Sequence, residues 1–178
     1  GQMTPIQPQA APSGDESVDE FQAQFTEHYL AGNYLQALSV ANDAIEAMPE
    51  FAWWYHERAS AQWALGLIDE AIASNLQGLD LDPDHASLVS QRAQFLFEEG
   101  QIEQALELHN RAIGLEPDNP HLLVELAITY RGLGRLEDAV ASLSRAIELD
   151  PSQDGFYGER AFTYQLMGEF ELALADLD

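Results

Sequence analysis

Residues 134–151 read GRLEDAVASLSRAIELDP. Within them Leu136, Ala139, Val140, Leu143, Ala146, Ile147 and Leu149 recur at the three- and four-residue steps that gather side chains on one face of an α-helix. Gly134 opens the stretch with a residue that tolerates left-handed torsions. Pro151 closes it, because a residue with no N–H and a ring against the preceding turn cannot continue a helix. Upstream, Leu122, Leu123, Leu126, Ala127 and Tyr130 carry the same spacing, so the glycine separates two amphipathic helices.

The same arrangement returns at a fixed interval along the chain. Prolines stand at Pro49, Pro83, Pro117 and Pro151, glycines at Gly32, Gly66, Gly100, Gly134 and Gly168, and alanines at Ala37, Ala71, Ala105, Ala139 and Ala173, each 34 residues from the last. Five glycines in one register have a chance probability on the order of one in a million, so the period is a property of the fold. A second small-residue column, Ala59, Ala93, Ala127 and Ala161, falls in the middle of the first helix of each pair, where a small side chain lets paired backbones approach.

This period and these columns resemble the tetratricopeptide repeat family, whose unit is a 34-residue helix-turn-helix with small residues at positions 8, 20 and 27, Gly at 15 and Pro at 32. With position 1 at Val18 the units run 18–51, 52–85, 86–119 and 120–153, with a fifth, 154–178, that stops inside its second helix. The resemblance implies an all-α, right-handed superhelical α-solenoid of four complete repeats and one truncated repeat. Phe25 replaces the small residue at position 8 of the first unit, which predicts wider packing or a slipped register there. Residues 1–17, with three prolines and almost nothing large and apolar, read as a flexible arm. The unfinished last unit is expected to belong to a longer repeat protein or to dock on a second copy.

Composition narrows the function. With 31 acidic and 7 basic residues the formal charge is -24, and every basic residue is arginine, a bias that fits a high-GC or salt-adapted source. A polyphosphate backbone is a poor partner for such a surface, and no basic cluster is present to hold an anionic membrane. The absence of cysteine removes disulfides, thiolate catalysis and cysteine-ligated zinc and leaves the compartment open. The five histidines never stand three or four apart on a helix, as a metal site would usually require. Asp80, Asp82 and Asp84 begin like a calcium loop, but His85 and Gln91 occupy the places of its glycine and closing glutamate. No nucleophile elbow or phosphate-cradling glycine cluster occurs, so neither an enzyme nor a cofactor is expected.

What remains is a surface. In the family it resembles, first-helix positions 2, 5, 9 and 12 line a concave groove. Here that implies a groove containing Tyr29, Trp53, His56, Trp63, Gln94, Phe97, His121, Ile128, Arg131 and Phe162. Aromatic residues there are suited to binding, because they cover much area with few rotors to freeze; the competing reading is that some only complete the core. Trp54 lies off this face. Arg131 with His121 is the one place expected to welcome a carboxylate. The Lys/Asn/Arg clamp by which one subclass holds a peptide's terminal carboxylate is missing, since Gln22, Thr26, Glu57, Ser87 and Gln91 stand at its positions. The expected function is therefore a non-catalytic scaffold that binds a protein or peptide segment. Alternatives are a structural subunit forming a homo-oligomer through its C-terminal repeat, and an accessory domain of a larger enzyme.

Overall fold

The computed structural model describes residues 16–177, which hold ten helices and no strand. The expected arm lies outside the described residues except for Glu16 and Ser17, which open the first helix. The helices are α1 (Glu16–Leu30), α2 (Tyr34–Ala47), α3 (Ala52–Ala64), α4 (Ile68–Leu81), α5 (Ala86–Glu98), α6 (Ile102–Leu115), α7 (Pro120–Gly132), α8 (Leu136–Leu149), α9 (Asp154–Met167) and α10 (Phe170–Ala175). The chain divides into two compact units, residues 1–88 and 89–178.

The period becomes structure through its glycines. All five turn glycines have positive φ, between 70° and 81°, a region closed to most side chains. At each, the residue after the glycine donates its N–H to the carbonyl five residues back, as Leu67 does to Gln62 at 2.9 Å and Arg135 to Tyr130 at 2.9 Å. This satisfies carbonyls that the helix end would otherwise leave bare. At the other end of each unit, Pro49, Pro83, Pro117 and Pro151 follow residues whose N–H groups still close the last helical turn.

In unit 1 the apolar core joins α1, α2 and α3 around Phe25, Val40, Ala41, Ala44 and Trp54. The first repeat keeps its register despite Phe25. Gly32 has φ 74° and Ala37 is sealed, while the Phe25 ring is buried and stacks on Tyr29 with centroids 5.5 Å apart. Gly78 shows why position 27 stays small: a Cβ there would lie 2.8 Å from the Leu88 Cδ1 and 3.0 Å from the Tyr55 Cβ. In unit 2, Leu123, Ala146, Ile147 and Phe156 tie α7, α8 and α9 together, and Ala127, Ala139 and Leu143 close the α7–α8 pair.

Candidate ligand-binding faces

In unit 1 the helical pattern aims Tyr29, Trp53, His56 and Trp63 along one side of their helices, but three of the four are closed over. Trp53 is buried. Its indole is stacked by His56 at 5.3 Å, and His85, from the stretch after α4, lies against it at 6.2 Å. His56 is itself buried, with Nδ1 3.3 Å from the Glu57 carboxylate. Tyr29 is sealed by Phe25 and by the edge-on ring of Tyr34 at 5.3 Å. These three are therefore core residues in the structure and not the exposed anchors expected from their positions. The reason is local: the first repeat carries Phe25 where later repeats carry alanine, and two histidines lie against Trp53. Trp63 is half-buried.

The same region contains a buried acid. Glu57 lies in the interior beside Tyr29 and His56, and burial raises its carboxyl above the usual carboxylate range against the opposing pull of His56. Burial and the nearby Glu57 likewise raise the Tyr29 phenol.

In unit 2 the corresponding side of α5, α7 and α9 is more open. Phe162 is 49% exposed and Leu166, one turn on, 52%. Ile128, His121, Gln94 and Phe97 are half-buried. The Phe97 ring lies over Gly132, where any Cβ would overlap it. His121 sits at the start of α7, after the Asn119 cap, with its ring edge-on to Phe156 at 5.4 Å, and burial lowers its pKa.

Arg131 is not free to receive a carboxylate. Its guanidinium pairs with Glu159 at 2.7 Å, reaches the Thr163 hydroxyl at 3.2 Å, and lies 5.1 Å above the Phe162 ring. The expected anion contact is thus already made inside the chain, by an acid 28 residues away on α9. The paired guanidinium packs on the Phe162 ring, which remains 49% exposed. Leu166 belongs to the same surface; its spacing of four from Phe162 was the available signal. Gly155 and Gly158 lie on this helix with open space beside their Cα atoms.

One further polar cluster is buried in unit 2. The Ser90 hydroxyl bonds the Glu125 carboxylate and stands 3.1 Å from His109 Nδ1, which is 4.0 Å from the same carboxylate. Ser90 and His109 are sealed, and one histidine nitrogen faces both neighbours. A hydrolytic relay would need its serine and acid on opposite ring nitrogens and a substrate path. The cluster links α5, α6 and α7.

Tetratricopeptide repeat family models match residues 55–85 and residues 96–158, together more than half of the chain. The chain is a tetratricopeptide repeat protein. Solved structures carry the same all-α solenoid fold. The thermophilic TPR protein TTC0263 of Thermus thermophilus has a TM-score of 0.79 at 24% identity, covering 89% of this chain and 87% of that one. A PilF structure from Pseudomonas aeruginosa has a TM-score of 0.73 at 19% identity, covering 90% and 73%. MamA from Desulfovibrio magneticus has a TM-score of 0.64 at 16% identity, covering 92% of each chain. No curated protein matches the chain. The tetratricopeptide fold is in general a non-catalytic protein-interaction scaffold. No helix among the described residues is long and apolar enough to cross a membrane.

Proposed function

We propose that this tetratricopeptide protein captures a protein segment on the first-helix face of unit 2, with Phe162 and Leu166 as anchors and Ile128, Phe97, Gln94 and His121 as the surround. The observation that carries the reading is the half-exposed Phe162 ring packed against the guanidinium of Arg131, which is itself paired with Glu159. An aromatic ring offers a large apolar surface with few rotors to freeze on binding. The ligand is a segment with apolar side chains for this face and basic flanks, since the chain carries a charge of -24.

Selection of a random peptide library on the wild type should enrich apolar residues with Lys or Arg beside them. Phe162→Ala should weaken the selected peptide about tenfold, the scale of one hot-spot truncation, with the melting temperature unchanged. Equal affinity for the variant would remove the face from consideration.

A second reading rests on α10. Leu177 is 60% exposed, whereas Leu143, one repeat earlier at the same position, is fully buried. Phe170 and Leu174 are exposed beside it. These side chains make an exposed apolar surface, and in this reading a second copy covers it. Light scattering across a concentration series decides this reading: growth in mass supports it, and a constant monomer mass removes it.

A further inference from the structure

Gly155, Gly158, Phe162 and Leu166 follow one another along α9 at steps of three, four and four, which keeps all four on one side of the helix. The C-terminal half of that side is raised and apolar, since Phe162 and Leu166 are both exposed. The N-terminal half has no side chain, and a Cβ at either glycine would meet nothing within 4 Å. Gly78, crowded by Leu88 and Tyr55, and Gly132, covered by the Phe97 ring, have neighbours that require them to be small. Gly155 and Gly158 have none, although each weakens the helix relative to alanine.

The polar side chains beside Phe162 are bonded to one another. Arg131 donates to the Glu159 carboxylate, to the Glu159 carbonyl at 3.3 Å and to the Thr163 hydroxyl, and that hydroxyl donates to the same carbonyl at 2.9 Å. An extended segment laid across Phe162 and Leu166 would bring its N–H and C=O groups against apolar side chains that cannot pair them. No strand among the described residues offers an edge to do so. A helix arrives with its backbone groups already paired, and over the two glycines no side chain holds it away from α9.

Charge sets how such a helix lies. Asp154 opens α9, and Glu169 and Glu171 follow its end; all three are exposed, and none has an ion-pair partner among the described residues. The 14 residues of α9 put the two acidic ends about 21 Å apart. We infer that this face takes an amphipathic helix of about 14 residues aligned with α9, its apolar stripe on Phe162 and Leu166 and its Lys or Arg residues at the two ends. A helix crossing α9 steeply would reach neither acidic end. The inference rests on the reading that unit 2 captures a segment on this face.

A peptide selected on the wild type from an unconstrained library is the probe. It is made in three forms: unmodified, with a hydrocarbon staple between residues i and i+4 at positions that tolerate alanine, and with proline at its central residue. By fluorescence anisotropy the staple should tighten binding about fivefold and the proline should weaken it about tenfold or more. Gly158→Leu should weaken the unmodified peptide about tenfold while the melting temperature holds or rises, because the new side chain enters open space. The double change Glu169→Lys and Glu171→Lys should weaken it severalfold at low salt and much less in molar salt. Tolerance of the proline, loss of binding on stapling, or full affinity in Gly158→Leu would overturn the helix, and full affinity of the double variant at low salt would overturn its alignment. Phe162→Ala separates this inference from the reading beneath it: weaker binding there with the proline tolerated removes the helix alone, and unchanged binding there removes both.

Discussion

Replacing Trp54 by alanine should cost unit 1 about 3–5 kcal/mol, the largest loss expected from any single truncation in this chain. Trp54 is fully buried. It meets the edge of Phe21 at 6.1 Å and lies in the cluster that joins α1, α2 and α3. Close-packed surroundings collapse only partly around a hole of that size, so both the transfer energy and the cavity count. The indole nitrogen has no hydrogen-bond partner, so the residue contributes by volume and not by polarity. Trp54→Phe should therefore recover most of the loss, and Trp63→Ala, at a half-buried site, should cost less than Trp54→Ala. Hydrogen exchange of the α1–α4 amides reads this directly; protection in Trp54→Ala equal to the wild type would show that the indole is not packed as described.

Acidification should loosen unit 2 and not unit 1. His109 is sealed beside Ser90 and Glu125, and burial pushes its pKa down to about 4, from about 6.5 in an unfolded chain. A neutral buried imidazole stabilises the fold fully above pH 6.5. That contribution is lost as pH falls towards 4, because the unfolded chain takes up the proton first; the loss is about 3 kcal/mol at the lower limit. Glu57 in unit 1 has the opposite sign. Its carboxyl is raised by burial, so the stability it gives is present at low pH and is lost as pH rises through its folded value. Between pH 6.5 and 4.5, exchange corrected for its intrinsic pH dependence should speed up in α5–α7 while α1–α3 hold or gain protection. His109→Gln should flatten the change in α5–α7. The reverse order, or a uniform loss across both units, contradicts these environments.

The repeat architecture was legible because its signals are local. A glycine with positive φ, a proline after a helix and an alanine between two backbones each answer a constraint that operates within a few residues or one hairpin, and the 34-residue period multiplies it. Burial of the candidate site was less legible. Positions 2, 5, 9 and 12 name the side of a helix, not what covers it. Trp53 is closed by His56 and by His85, which comes from beyond the next helix, and Tyr29 by Phe25 and Tyr34. Arg131 reads as available in the sequence because Glu159, its partner, is separated from it by the whole of α8. The Ser90–His109–Glu125 cluster has no sequence signature for the same reason, its members coming one from each of three helices with no shared spacing.

The capture surface of unit 2 can be mapped by contact. A photoreactive benzophenone side chain placed at residue 162 should cross-link a peptide selected on the wild type, and the same group at residue 35, an exposed leucine on the second helix of the first repeat, should not. Cross-linking from 35 with none from 162 would contradict the assignment of ligand capture to the first-helix face.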